Sequence, residues 1–233
     1  MAREGAAIMA QVLASPFEML IDGAEIGPSQ RSYRPVKVLT NRGSIFLRQY
    51  PVSGAKTGVL WLTGAGGGWS SPAKEVYPRL CRGLAAGGIT SLQLCYRCPN
   101  NLQECVLDAL AGVVYLQNEG VSRVALVGHS FGGAVAIHAA AASPAVRTLI
   151  ALATQSSGTA PVARLRPNCS TLLIHGKEDS LLPASCSEYV YERAHEPKKL
   201  MLMEGAGHSL DEVAAVIYRT LLEWIETNLA QDQ

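Results

Sequence analysis

Charge of one sign and long apolar runs are both missing from this chain of 233 residues. Lys and Arg number 20 against 19 Asp and Glu, a formal net charge of +1, and like charges form no block. Such a balance gives no reason to expect nucleic acid or an acidic surface as partner. Apolar stretches are broken by Gly, Arg or Gln before the ~18 residues that a membrane span needs. The Ala-rich start, Met1 to Ser15, does not read as a signal peptide, because Glu4 cancels Arg3 and Gln11 breaks the apolar run. A helix or loose arm over residues 1–35 is expected instead, in a cytoplasmic protein. The six cysteines (Cys81, Cys95, Cys98, Cys105, Cys169 and Cys186) are too sparse for a disulfide scaffold. Cys95-x-x-Cys98 has no second pair, so a zinc site is not expected.

What is present is an ordinary globular composition, 48% hydrophobic and 17% charged, in a length that suits one domain. There is no repeat. Val36–Thr40 and Ser44–Tyr50 flank the turn Asn41-Arg42-Gly43 and read as a hairpin. After it, short apolar strands alternate with helical stretches to residue 229. Strands are expected at Gly58–Thr63, Ile89–Tyr96, Val121–Val127, Val146–Ala153, Ser170–His175 and Lys199–Met203. Helices are expected at Pro72–Ala86, Leu102–Glu119, Phe131–Ala142, Pro183–Ala194 and Ser209–Leu229. Alternation of this kind predicts an α/β fold: a mainly parallel central sheet, an N-terminal antiparallel hairpin and helices on both faces. The irregular stretch from Thr154 to Cys169 is too short for a cap domain. Residues 36–229 thus form the core of a single domain.

The most specific motif is Gly128-His129-Ser130-Phe131-Gly132-Gly133, with a strand running in and a helix running out. A serine on so sharp a turn is held out above the sheet. Glycines two before and two after it avoid a collision. A serine hydroxyl is a weak nucleophile without a base. Of the five histidines, His208 follows the last strand, in Gly205-Ala206-Gly207-His208. Loops at the carboxyl ends of parallel strands are where α/β sites form. A carboxylate must orient that base. Leu172-Leu173-Ile174-His175-Gly176-Lys177-Glu178-Asp179 offers two, of which Asp179 is favoured over Glu178. The order serine, acid, histidine is the one that this motif demands.

Charge developing on a carbonyl oxygen needs preorganised N–H donors. One is the backbone N–H of Phe131. The other is expected from the loop Gly64-Ala65-Gly66-Gly67-Gly68-Trp69, at Ala65 or alternatively Gly66. That loop lacks the Lys-Ser/Thr ending of a phosphate-binding loop. Gly66, Trp69 and His129 are expected to line the pocket, with the Trp69 and Phe131 rings flanking it.

These four segments resemble the α/β-hydrolase superfamily over about residues 36–229. The chain is most similar there to small, capless, dienelactone-hydrolase-like members. It differs from the namesake in carrying Ser130 where that enzyme uses cysteine, and Thr63-Gly64 where many members have His-Gly. The resemblance implies hydrolysis of a small-molecule carboxylic ester through an acyl-enzyme, by a monomer or homodimer, with no cofactor and no metal. A peptidase or thioesterase on the same residues is the alternative. A non-catalytic binding protein on the scaffold would be expected to have lost one of the three residues, and none is lost.

Overall fold

The structure, a computed structural model, describes residues 10–14 and 17–230. Ten strands form one sheet: β1 (Ala10–Ala14), β2 (Phe17–Ile26), β3 (Arg34–Thr40), β4 (Ile45–Tyr50), β5 (Thr57–Leu62), β6 (Thr90–Cys95), β7 (Arg123–His129), β8 (Val146–Leu152), β9 (Ser170–Gly176) and β10 (Lys198–Met203). Their order across the sheet is β1-β2-β3-β4-β6-β5-β7-β8-β9-β10. From β1 to the β4–β6 pair the pairing is antiparallel, and from β6 to β10 it is parallel.

Five helices connect the strands: α1 (Pro72–Ala86), α2 (Leu102–Asn118), α3 (Phe131–Ala142), α4 (Ser185–Arg193) and α5 (Ala214–Ala230). The central strands are apolar at nearly every position because both faces are covered. On β5, Val59 and Trp61 enter the layer built with α1 and α5, while Leu60 and Leu62 enter the layer of α2 and α3. β7 divides the same way, with Ala125 and Val127 on one side and Val124 and Leu126 on the other. Every loop that leaves the carboxyl end of a parallel strand therefore emerges on one rim.

The expected hairpin is present, with Val36 opposite Leu47 and the turn closed by the Gly43 N–H donating to Thr40 O. The arm or helix expected over residues 1–35 is corrected. Residues 10–14 and 17–26 are strands that extend the antiparallel end of the sheet, and residues 1–9 lie outside the described residues. The reason is a register shift between Ile21 and Gly23. Met19 and Ile21 are buried before it and Ala24 after it, so the alternation changes phase in mid-strand. No cap domain interrupts the described residues. Among them, no helix is long and apolar enough to cross a membrane.

A second difference lies in α1. Its boundaries match expectation, but Ala73, Lys74 and Glu75 lie in the left-handed region, with φ of 50°, 52° and 59°. Regular helix begins only after them, which places Pro78 in its first turn, where a missing N–H costs nothing. The left-handed turn is held from outside. Ala73 N–H donates to Ser209 O at 2.7 Å, and Lys74 N–H donates to Asp211 Oδ1 at 2.7 Å.

Candidate active site

Ser130 stands between β7 and α3 with φ 55° and ψ −122°, a conformation that L-residues avoid. The neighbouring backbones are close enough to require glycine. A Cβ on Gly128 would lie 2.1 Å from Gly132 O, and one on Gly132 would lie 2.4 Å from Thr63 O. The Ser130 N–H donates to Leu152 O at 2.8 Å, and its carbonyl accepts from the Gly133 N–H and the Thr154 hydroxyl. The strain is thus held in place from three sides. Phe131 is the first residue of α3, so its N–H has no acceptor within the helix.

The glycine loop closes on this turn. A Cβ on Gly64 would sit 3.6 Å from the Ser130 Cβ. The Gly67 N–H donates to Gly64 O at 3.0 Å, leaving Ala65 and Gly66 exposed at the tip. Two buried tyrosines brace the end of β5. Tyr77 donates its hydroxyl to Leu62 O at 3.2 Å, and Tyr96 donates to Thr63 O at 3.3 Å. The Tyr96 ring also meets the Phe131 ring edge-on at 6.3 Å.

Asp179 and His208 are brought together by their loops. Lys177 N–H donates to Met203 O, and Glu178 N–H donates to Ala206 O. His208 Nδ1 lies 2.7 Å from Asp179 Oδ2, and the Asp179 side chain is fully buried. A carboxylate oxygen accepts, so the proton is on Nδ1 and Nε2 is left as the basic nitrogen. Oδ1 accepts from the Leu181 and Leu182 N–H groups at 2.8 and 2.9 Å. Burial pushes the Asp179 carboxyl up. The Leu182 N–H, the His208 ring and the Leu181 N–H outweigh it and hold the group below the usual carboxylate range. Glu178, the rival acid, is exposed.

A family model described as phospholipase/carboxylesterase matches residues 113–226, a stretch that includes Ser130, Asp179 and His208. Among solved structures, the chain is similar to a dienelactone hydrolase from Anabaena variabilis. The identity is 18%, with 85% of this chain and 100% of that one covered at a TM-score of 0.73. Est1E from Butyrivibrio proteoclasticus shares 16% identity, with 84% and 99% covered at a TM-score of 0.69. An acetyl xylan esterase from Paenibacillus sp. R4 shares 16%, with 88% and 89% covered at 0.70. No curated protein matches the sequence. The chain has the α/β-hydrolase fold.

Within this α/β-hydrolase fold, three expected site residues take other positions or neighbours. Phe131 is only 5% exposed, so its ring is core and not a pocket wall. Trp69 stacks with the Arg48 guanidinium, 4.2 Å from the ring centroid, and is thereby tied to β4. His129 packs its ring 4.9 Å from that of His208 and donates from Nε2 to His208 O. Burial pushes its pKa down to about 4. Sequence reasoning missed His175, which contacts Asp179 from β9. Its only signal was a polar residue closing an apolar strand. Tyr96 was missed as well, as an aromatic at the end of the expected strand 89–96.

Proposed function

We propose that the protein is a serine hydrolase that cleaves the carboxylic ester of a small molecule through an acyl-enzyme. The observation that carries this reading is the Asp179–His208 hydrogen bond on the same rim as the strained Ser130 turn. In this scheme Ser130 Oγ attacks the ester carbonyl, and His208 Nε2 takes the serine proton. The N–H groups of Phe131 and Ala65 receive the oxyanion. The proton then passes from His208 to the departing alkoxide. Water then gives a proton to the same nitrogen as it attacks the acyl-enzyme; the bond from Ser130 Oγ to the acyl carbon breaks, Oγ takes the proton back from Nε2, and the carboxylic acid leaves. Asp179 keeps the imidazole in the Nδ1–H tautomer and stabilises the imidazolium without taking its proton.

The description of the matching family model favours an ester over an amide or thioester. The short stretch between β8 and β9, with no cap among the described residues, is compatible with an open site. A fluorophosphonate probe and p-nitrophenyl esters of graded chain length test the proposal. Wild-type protein should be labelled at Ser130 and hydrolyse the short esters, and Ser130→Ala should do neither. Hydrolysis by Ser130→Ala at near-wild-type rate would refute it.

A further inference from the structure

His175 closes β9 and its side chain is fully buried, yet the scheme above gives it no part. Leu173, two residues earlier, packs into the layer of α2 and α3, and a leucine at 175 would extend that layer. The chain instead buries an imidazole there and satisfies both its nitrogens. Nε2 lies 3.1 Å from Asp179 Oδ2 and 3.0 Å from Leu182 O. Both oxygens are acceptors, so Nε2 must carry the proton. With the proton on Nε2 alone, Nδ1 accepts from the Ser187 hydroxyl, 2.7 Å away on α4. Ser187 is itself buried.

A chain of contacts results: Ser187 to His175, His175 to Asp179, and His208 to Asp179. Its centre is unusual in one respect. Two imidazoles reach a single carboxylate oxygen, Oδ2, the His175 N–H being shared with Leu182 O, while Oδ1 is occupied by two backbone N–H groups.

We propose that His175 is a positioning residue for Asp179: its Nε2–H, donated to the oxygen that also receives His208 Nδ1–H, aims that oxygen and limits its hold on the His208 ring. The role in turnover rests on the serine-hydrolase reading above. A carboxylate oxygen with one donor directs its full attraction to that donor, whereas a second donor divides it. Deleting His175 leaves Asp179 more basic toward His208. The imidazolium form of His208 is then favoured, and a larger fraction of the base is blocked by a proton at a given pH. The other titratable groups around this cluster do not duplicate the effect. His129, from the end of β7, donates to the His208 carbonyl. Glu212 accepts from the Gly207 N–H, and Lys177 and Glu178 are exposed.

The test is a titration of the histidine rings by nitrogen-15 NMR, which needs no substrate. In the wild-type protein at neutral pH, His175 should show its proton on Nε2; a proton on Nδ1 alone would overturn the proposal without any variant. In His175→Leu the titration midpoint of His208 should rise by on the order of half a pH unit. In His175→Gln, whose amide supplies an N–H to the same region, it should stay near wild type. The acid limb of kcat/KM should follow the same shifts. A residue that merely fills the core would lower stability or active fraction and leave the midpoint where it was, and an unmoved midpoint in the Leu variant defeats the idea. Ser187→Ala, a gentler change, should move His208 the same way by less. Failure of the fluorophosphonate to label Ser130 would remove the hydrolase reading and leave this coupling measurable. Labelling with no His208 shift would remove only the role of His175.

Discussion

His129 Nε2 donates to the backbone carbonyl of His208 across 3.0 Å, so a residue adjoining the nucleophile fixes the loop that carries the base. A carbonyl can only accept, which sets the His129 tautomer, and burial holds its pKa down at about 4. In the unfolded chain a histidine titrates near 6.5. Between these values the unfolded state binds more protons than the folded one, so stability falls as pH falls from about 6.5 toward 4. The loss from this one group is on the order of 3 kcal/mol once pH falls below about 4, and it fades out above pH 6.5. His129→Gln keeps an N–H for the carbonyl but cannot titrate. Urea unfolding at several pH values should show a shallower acid slope in this variant than in wild type. Equal slopes would show that His129 is not held neutral.

Ser130→Gly should be inactive and yet more stable. The φ of 55° costs an L-residue about 1–2 kcal/mol and costs glycine almost nothing. Added freedom of the unfolded chain offsets part of the gain. Thermal unfolding should show a higher midpoint for the variant, and a lower one would mean that the turn carries no strain worth relieving.

Asp179 and Glu178 can be told apart by matched amide variants. Asp179→Asn presents a donor or a weaker acceptor to His208 Nδ1, which favours the wrong tautomer; kcat should drop by up to about 10⁴. Glu178→Gln alters an exposed side chain and should leave kcat within about twofold. If the Glu178 variant were the damaged one, the acid assignment would be lost while Ser130 and His208 kept their roles.

Tyr96→Phe removes the hydroxyl that donates to Thr63 O and keeps the ring against Phe131. The lost hydrogen bond costs about 1 kcal/mol, and Thr63 directly precedes the glycine loop. The expectation is a several-fold lower kcat with KM little changed, since an oxyanion donor acts in the transition state. A change confined to KM would place Tyr96 outside that support.

The parts of this molecule that are legible in its sequence are those set by local rules. The strand–glycine–serine–helix junction at 128–133 is one, because its geometry is dictated within six residues. The pairing of Asp179 with His208 is another, because both follow consecutive parallel strands whose ends share a rim. What was illegible depends on distant partners. β2 hides its strand character behind the phase change at Ile21–Gly23. Trp69 points to the site only until Arg48 takes its ring. His175 reads as the end of a strand until α4 supplies Ser187 and the next loop supplies Asp179.

The left-handed turn at Ala73–Glu75 ties together two segments far apart in the chain. Three consecutive L-residues in that conformation cost about 1–2 kcal/mol each, and no local contact supplies the acceptors for Ala73 and Lys74. Those acceptors are Ser209 O and Asp211 Oδ1, some 137 positions later for the Lys74 contact. The segment leading out of the glycine loop and the segment following His208 therefore hold one another, so that a change loosening either one slackens both margins of the proposed site.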